Sequence, residues 1–229
     1  MTDIPSQKLA KVMWSDPTSG LMQEHILMEG ATATIGRSSS NDITIADQHV
    51  SRQHAVITFR DGGFVISDLG SANGTFINDR RIDESCPLAS GDVIRLYSPT
   101  LTFSASVTPQ EYEQASQTGS LSTASLAGGQ GELTITNGPQ EGEVIVLRLQ
   151  EVTVGRATSS ATWEIGLRDP SVSRPHARLV CEDGDWILYD LGSVNGTFVN
   201  RVAVGAQGHR LFDGDVIAFG ATLALYRSV

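Results

Sequence analysis

The stretch from Asp68 to Asn78 reads D-L-G-S-A-N-G-T-F-I-N, and it returns from Asp190 to Asn200 as D-L-G-S-V-N-G-T-F-V-N. The copies differ only at Ala72/Val194 and Ile77/Val199. An Asn-Gly pair between apolar runs is a strong turn signal, because both residues tolerate positive φ at little cost. The sequence therefore predicts the same tight polar loop at two places in the chain.

The residues around the first loop indicate what it is for. Leu69 and Phe76 are the apolar residues on either side of it, and we expect the flanking strands to end there. A short polar loop of this kind presents backbone N–H groups and small side chains outward from a rigid sheet. We therefore expect both copies of the loop to be exposed at the edge of a sheet.

The duplication extends well beyond the loop. The repeated motifs upstream are Gly36-Arg37 with Gly155-Arg156, and Ser51-Arg52-Gln53-His54 with Ser173-Arg174-Pro175-His176. The offset is 119 residues at the Gly-Arg pair and 122 at the serine, so the second copy carries an insertion in or near residues 159–168. Motifs repeated in one order at nearly one spacing are a strong internal-repeat signal.

The repeats predict two domains joined by a linker. Each repeat has about 100 residues, which is long enough to bury its own core. We place the first domain at residues 1–106 and the second at residues 132–229. Residues 107–131 are rich in Ser, Thr, Gln and Gly and almost free of bulky apolar side chains, which is typical of a flexible linker.

Short alternating runs separated by turn residues predict an all-β fold. Ala55–Phe59 and Phe64–Ser67 alternate on either side of an Asp-Gly-Gly turn, and Ala177–Cys181 with Trp186–Tyr189 repeats this hairpin. No long helical period occurs in either repeat. Many short strands with frequent turns indicate a β-sandwich, so we predict two β-sandwiches.

The order G-R, then S-x-x-H, then N-G-T resembles the forkhead-associated (FHA) domain, and it occurs twice. The resemblance covers nearly the whole chain outside the linker and the N-terminus. It implies a β-sandwich that binds phosphothreonine peptides, with three residues on the phosphate and an asparagine on the ligand backbone. These residues are Arg37, Ser51, Arg52 and Asn73 in the first domain, and Arg156, Ser173, Arg174 and Asn195 in the second.

The residue types suit that use. A guanidinium holds a phosphate through two N–H donors, and a serine hydroxyl adds a third donor. A phosphothreonine carries roughly −1.5 to −2 charges near pH 7, which two arginines match. Only Lys8 and Lys11 are lysines among the sixteen basic residues, so every cation near the motifs is an arginine.

The remaining motif residues are expected to support the loops rather than touch a ligand. Histidines at these positions are expected to be hydrogen-bonded braces, the glycines to permit special backbone geometry, and the threonines to stabilise the turn. They are Gly36, His54, Gly74 and Thr75 in the first domain, and Gly155, His176, Gly196 and Thr197 in the second.

Both copies depart from the family pattern. The residue before the N-G asparagine is often Ser or Thr in the family and adds a phosphate contact, but here it is Ala72 or Val194. In the second copy, Pro175 follows Arg174 and the preceding loop is longer. We expect the two domains to differ in ligand preference.

The net charge of the chain argues against nucleic acid as a partner. The net charge is −10, divided as −4, −2 and −4 over the first domain, the linker and the second domain. Nucleic-acid binding needs a basic footprint, which this chain lacks. The expected partners are phosphothreonine proteins, either substrates of a Ser/Thr kinase or the kinase itself.

Enzyme and metal motifs are missing from the sequence. Ser51, His54 and Asp68 are triad residue types without a G-x-S-x-G context, and five scattered histidines with two cysteines give no zinc pattern. We expect no catalysis, no cofactor and no metal. One alternative is a structural scaffold that binds unphosphorylated protein through one or both sandwiches, and a second is a regulatory subunit whose enzyme is a separate chain.

The N-terminus and the cysteines bear on location. M-T-D-I-P-S-Q-K lacks the apolar core of a secretion signal, and no run approaches the roughly eighteen apolar residues of a membrane span. Cys86 and Cys181 are not at equivalent positions in the repeats, which suggests two unpaired, buried thiols. We therefore expect a cytoplasmic protein without membrane insertion.

Overall fold

The computed structural model describes residues 8–28, 30–105, 131–159 and 162–228. The chain divides into two compact units, Met1–Thr123 and Ala124–Val229. The described residues form strands and one short 3-10 helix, Gly138–Gln140, which confirms the all-β prediction. The predicted linker lies outside the described residues except for Gly131, which begins a strand.

The first unit contains two mostly antiparallel sheets. Its strands are β1 (Lys8–Ser15), β2 (Met22–Met28), β3 (Thr32–Gly36), β4 (Ile43–Thr44), β5 (Ala55–Arg60), β6 (Gly63–Asp68), β7 (Phe76–Ile77), β8 (Arg80–Arg81), β9 (Cys86–Pro87), β10 (Val93–Arg95) and β11 (Thr100–Ala105). One sheet has the order β2-β1-β11-β10-β7-β8 and the other β4-β3-β5-β6-β9. Only the short β4 runs parallel to its neighbour.

The second unit repeats this arrangement. Its strands are β12 (Gly131–Ile135), β13 (Val144–Leu147), β14 (Glu151–Arg156), β15 (Ile165–Leu167), β16 (Ala177–Glu182), β17 (Asp185–Asp190), β18 (Thr197–Val199), β19 (Val202–Ala203), β20 (His209–Arg210), β21 (Val216–Phe219) and β22 (Thr222–Ser228). The sheet orders are β13-β12-β22-β21-β18-β19 and β15-β14-β16-β17-β20.

Each unit buries its own apolar core between its two sheets. In the first, Val12, Ile57 and Phe103 come from different strands and are almost completely buried. In the second, Trp186 and Phe219 have the same role. Burying an aliphatic or phenylalanine side chain contributes about 1.5–3 kcal/mol, so each unit has the core of an independent domain.

The N-G-T stretch is a crossing between sheets and not a hairpin, which corrects one implication of the Asn-Gly pair. Strands β6 and β7 flank it but lie in different sheets. Gly74 takes a φ of 80°, whereas Asn73 is not among the residues with positive φ. The type I′ turn that Asn-Gly favours in a hairpin needs positive φ at both central residues, so this loop must be shaped by other contacts.

The cysteines also differ from expectation in one respect. Cys86 and Cys181 are unpaired, as predicted, but both are half-buried rather than buried. Burial and the nearby Asp92 carboxylate raise the pKa of the Cys86 thiol. The thiol is the form that such an environment favours.

Candidate functional site

One carboxylate shapes the N-G-T loop of the first domain. Asp68, at the end of β6, accepts hydrogen bonds from the backbone N–H groups of Gly70 and Ser71, both at 2.9 Å. It also accepts from the hydroxyls of Ser71 at 2.6 Å and Thr75 at 2.7 Å. Side-chain acceptors of this kind stand in for the backbone bonds of a regular turn. The Thr75 hydroxyl is thus tied to the start of the loop.

His54 joins that loop to the neighbouring one. The backbone N–H of Ser51 donates to His54 Nδ1 at 3.1 Å, which leaves Nε2 to donate to the carbonyl oxygen of Gly74 at 3.3 Å. His54 is fully buried. It therefore has no face for a ligand and sits where a bracing residue belongs.

Gly36 permits the close approach of two backbone segments. A Cβ at Gly36 would lie 2.2 Å from the carbonyl oxygen of Arg52, a separation that no side chain tolerates. The same carbonyl accepts a hydrogen bond from Asn41 Nδ2 at 2.7 Å. Gly36 thus brings the start of the Arg37 loop against the loop that carries Ser51 and Arg52.

Two further hydrogen bonds connect the segment around the S-x-x-H motif to the N-G-T loop. The backbone N–H of Ala72 donates to Ser51 Oγ at 3.0 Å. Asn73 Nδ2 donates to the carbonyl oxygen of His49 at 2.7 Å. Ser51 and Asn73 are therefore held side by side, although they are more than twenty residues apart in sequence.

Arg37 completes the cluster. Its backbone N–H donates to the carbonyl oxygen of Ser51 at 2.8 Å, and its Nε donates to that of Val50 at 3.1 Å. The side chain is exposed, and no carboxylate among the described residues forms an ion pair with it. Arg52, also exposed, follows Ser51 directly. The first domain therefore gathers all four predicted site residues onto three adjacent loops.

The second domain reproduces most of these contacts. The N–H of Val194 donates to Ser173 Oγ at 3.0 Å, and Asn195 Nδ2 donates to the carbonyl oxygen of Ser171 at 2.7 Å. His176 accepts from the N–H of Ser173 at 2.9 Å and bonds the carbonyl oxygen of Gly196 at 3.2 Å. The two domains thus have the same loop geometry, although their sequences differ between the motifs.

Asp190 and Thr197 repeat the turn network of the first domain. Thr197 donates to Asp190 at 2.6 Å, and Ser193 donates to the same carboxylate at 2.6 Å. These bonds, together with the N–H groups of Ser193 and Gly192, outweigh burial and lower the pKa of Asp190. The carboxylate form, which the loop requires as an acceptor, is the stabilised one.

The arginine of the second site is held differently. Arg156 uses Nη1 to donate to the carbonyl oxygen of Pro170 at 2.9 Å, and its buried Nε has no hydrogen-bond partner among the described residues. Trp163, from the lengthened loop, lies against Gly155 and donates to the carbonyl oxygen of Arg156 at 2.9 Å. Within the described part of the protein, the Arg37 side chain donates only from Nε, whereas Arg156 donates from the terminal nitrogen Nη1. The two guanidiniums thus offer different donors.

Arg174 is exposed and follows Ser173 directly, as Arg52 follows Ser51. Gly155, like Gly36, has no room for a side chain. A Cβ there would lie 2.9 Å from the Trp163 ring, whereas at Gly36 the obstacle is backbone. Sequence reasoning placed both residues at the site but did not anticipate Trp163. Its only sequence cue is its position beside the insertion.

Burial lowers the pKa values of both site histidines. For His54 the loss of hydration outweighs the opposing effects of Asp68 and the Gly74 carbonyl on the pKa. For His176, burial likewise outweighs the Gly196 carbonyl and the Asp190 and Asp169 carboxylates in setting the pKa. Both rings are therefore neutral near pH 7, consistent with an Nδ1 that accepts a hydrogen bond.

Asp68 and Asp190 are the site residues that sequence reasoning missed. Asp68 was considered only as a triad residue type, yet it organises the whole loop. The available cue was the identity of D-L-G-S in both copies. A repeated aspartate two residues before a glycine is typical of a side chain that accepts backbone N–H bonds.

The described residues contain neither a cluster of metal ligands nor a helix that could span a membrane. No group of His, Cys, Asp or Glu side chains in that part of the chain is arranged to hold a metal ion. No helix in the same residues is long and apolar enough to cross a membrane.

The FHA domain family matches residues 33–97 and 152–220, which together make up more than half of the chain. The chain therefore belongs to the FHA family, and it contains two FHA domains in tandem. The matched ranges enclose all eight residues that were expected to contact a ligand.

Several relatives share this domain. The chain is 34% identical over 100 residues to the glycogen accumulation regulator GarA of Mycolicibacterium smegmatis, a match of 44% of this chain and 61% of that protein. It is 40% identical over 77 residues to the oxoglutarate dehydrogenase inhibitor of Corynebacterium diphtheriae, a match of 34% of this chain and 53% of that protein. The chain thus spans less than two thirds of either relative.

A solved structure of EmbR from Mycobacterium tuberculosis, in complex with a low-affinity phosphopeptide, is also similar. It is 35% identical, has a TM-score of 0.38, and the match covers 44% of this chain and 26% of that one.

Proposed function

We propose that this protein is a non-catalytic adaptor that binds phosphothreonine peptides in Ser/Thr kinase signalling. The observation that carries the proposal is the cluster of Arg37, Ser51 and Asn73 on adjoining loops, fixed by hydrogen bonds between those loops. The same cluster recurs in the second domain around Ser173 and Asn195.

In the first domain, Arg37 and Arg52 would neutralise the phosphate. Ser51 Oγ already accepts the N–H of Ala72, so its own hydroxyl hydrogen is directed to another acceptor. A phosphate oxygen is such an acceptor, and hydrogen bonds with a charged partner are roughly twice as strong as neutral ones. The two arginines would bind the phosphate by charge, and the Ser51 hydroxyl would add a directed hydrogen bond.

Asn73 would hold the ligand backbone. Its Nδ2 is committed to the carbonyl oxygen of His49, which fixes the amide orientation. The Oδ1 atom is then presented to accept an N–H from an extended peptide. Because this contact reads backbone and not side chain, it positions the ligand without selecting its sequence. The preference for threonine over serine rests on the family resemblance.

The proposal includes the organisation of the chain. We place the domains at residues 1–106 and 132–229, joined by a linker at 107–131. The partners would be phosphothreonine proteins of a Ser/Thr kinase pathway, either kinase substrates or the kinase. We place the protein in the cytoplasm on the sequence grounds given above.

A peptide array tests the proposal. Phosphothreonine peptides of varied flanking sequence are compared with their phosphoserine and unphosphorylated counterparts on the full chain. We expect binding of phosphothreonine peptides only. Equal binding of the unphosphorylated set would show a scaffold that recognises protein surfaces without phosphate.

Arg37→Ala supplies the residue-level control. Losing a bidentate, charge-assisted contact should weaken binding to the first domain by at least about tenfold. Arg80→Ala removes an equal charge from an exposed strand of the same domain and should leave affinity unchanged. If Arg37→Ala folds and binds as tightly as the unaltered chain, the phosphate site is elsewhere.

A further inference from the structure

A row of three side chains crosses the outer face of the first domain beside the N-G-T loop. Arg81 on β8 is directly opposite Phe76 on β7, and Phe76 is directly opposite Arg95 on β10. Directly paired residues of antiparallel strands lie on one face of a sheet. We call Arg81, Phe76 and Arg95 the arginine row.

The arginine row lies against the loop that is proposed to hold the ligand. The Arg81 guanidinium packs on Gly74, since a Cβ at Gly74 would lie 2.7 Å from Arg81 Nε and 3.2 Å from Nη2. Gly74 follows Asn73 directly in sequence. An extended ligand advances about 3.3 Å per residue, so one that passes Asn73 comes within reach of Arg81 in a few residues.

Arg81 is available to an anion directly, whereas Arg95 is 29% exposed, donates Nη1 to the carbonyl oxygen of Tyr97 at 3.4 Å, and must exchange one ion pair. Arg81 is exposed, and no carboxylate among the described residues forms an ion pair with it. Arg95 stacks on the Phe76 ring, 4.1 Å from its centroid, and its Nε is 3.0 Å from Asp79 Oδ1. The Asp79 side chain is 88% exposed. An ion pair in that position is worth little, so a ligand anion can replace Asp79.

The second domain has the same row without its charge. Ala203 is directly opposite Phe198, and Phe198 is directly opposite Ala218. The Phe198 ring, rather than a guanidinium, lies beside the N-G-T glycine, 2.9 Å from where a Cβ of Gly196 would be. Alanines thus replace the arginines on both sides of a retained phenylalanine.

We propose that the arginine row binds an anionic side chain of the same ligand whose phosphothreonine occupies the Arg37 site. The anion is a carboxylate or a second phosphate a few residues from the phosphothreonine. The first domain then selects acid-flanked phosphothreonine sites, and the second domain does not. This inference rests on the proposed function and adds the ligand class to it.

The test uses the full chain with Arg156→Ala, so that the first domain is read alone. Phosphothreonine peptides carry Gln, Glu or phosphoserine at each flanking position in turn, and affinities are measured by calorimetry. At one or two neighbouring positions we expect Glu to bind about two- to fivefold tighter than Gln, with phosphoserine tighter still. A gain with phosphoserine alone would identify the anion as a second phosphate.

Arg81→Ala should reduce the Glu-to-Gln affinity ratio to near one, and Arg81→Lys should keep part of it. Arg80→Ala is the matched control, because it removes the same charge from the adjacent residue, whose side chain points to the opposite face. The preference for Glu over Gln should persist in Arg80→Ala. In the chain with an unaltered arginine row, added salt should weaken this preference.

Three results would overturn the inference while leaving the proposed function intact. They are equal binding of Gln, Glu and phosphoserine peptides, a Glu preference that survives Arg81→Ala, and one that is lost equally in Arg80→Ala. Failure of every phosphothreonine peptide to bind would instead overturn the proposed function, and this inference with it.

Discussion

Single residues of the site divide into those satisfied within the protein and those left to act on a ligand. Asp190, His176 and Thr197 have their hydrogen-bonding atoms committed to the loops. Val194, by contrast, is 88% exposed and presents only methyl groups beside Ser173. The FHA motif often has Ser or Thr at that position, so this residue is the point at which the site lacks a donor.

We predict that Val194→Thr strengthens phosphopeptide binding by the second domain. The substitution keeps the side-chain shape and adds one hydroxyl, and a net hydrogen bond of about 0.5–1.5 kcal/mol corresponds to roughly two- to tenfold in affinity. Calorimetry in a chain with Arg37→Ala isolates the second domain. Val202→Thr, at a position 63% exposed on β19, is the matched control and should have no effect. An unchanged affinity in Val194→Thr would place the phosphate away from this residue.

The site histidines should make stability depend on pH. Burial lowers the pKa values of His54 and His176 below the ordinary value near 6.5. Below that pH, the unfolded chain therefore binds more protons than the folded chain. Their contribution is complete above about pH 6.5, and the free energy of unfolding falls as the pH drops below that value toward the folded pKa.

NMR titration of the histidine rings checks this prediction directly. We expect the His54 and His176 rings to titrate below the ordinary value near 6.5, at which an unfolded histidine is half protonated. Urea unfolding at a series of pH values should show the accompanying loss of stability, with a smaller slope in His54→Gln. Rings that titrate at or above about pH 6.5 would contradict the account of buried, neutral braces.

At the scale of elements, the site exists because loops from two sheets are pressed together. The loop after β3 contacts the S-x-x-H loop through Gly36, and the N-G-T loop crosses from one sheet to the other. A rigid sheet behind each loop fixes its ends. Small residues at the contact points then decide how closely the loops approach.

We predict that Gly36→Ala lowers the stability of the first domain by about 1–3 kcal/mol and weakens its phosphopeptide binding, because the new methyl group displaces the Arg52 backbone. Gly63→Ala is the matched control, since its Cβ would meet no atom closer than the Arg60 carbonyl oxygen at 4.0 Å. Hydrogen exchange of first-domain peptides across a urea series measures both variants. Equal stability of the two variants would show that the contact at Gly36 is not restrictive.

The longer elements could be predicted from alternation, but of the two-residue strands only β4 and β7 could, because both consist of β-branched or aromatic residues beside a motif. β5 and β6 were expected within one or two residues of their observed ends, because a buried face repeats every second residue. β8, β9, β19 and β20 were missed, because each has only two residues and is defined by its neighbour in the sheet. β15 was missed because it lies beside the insertion, where the repeat is out of register.

The candidate site was predictable at its repeated motifs and less so between them. Arg37, Ser51, Arg52 and Asn73 were expected from three motifs far apart in the sequence, and the structure brings them onto adjacent loops. The donors that differ between Arg37 and Arg156 were not predictable. They depend on which carbonyl oxygen each loop presents, and no residue pattern encodes that.

At the scale of the whole molecule, the two domains have the same fold but differ in the surface beside the N-G-T loop. Both domains keep the loop geometry around the N-G-T asparagine, but the residues beside it are arginines in one and alanines in the other. Each domain has a charge of −4, so the first domain displays its arginines against an acidic background. This contrast favours recognition of separate ligands over a doubled affinity for one.

In the function proposed above, each FHA domain has one phosphothreonine site that depends on the arginine of its Gly-Arg motif. Calorimetric titration of the full chain with a phosphothreonine peptide that both domains accept measures the number of sites. We expect two peptides per chain, one in either Arg37→Ala or Arg156→Ala, and none in the double variant. A folded double variant that still binds two peptides with unchanged affinity would contradict the account.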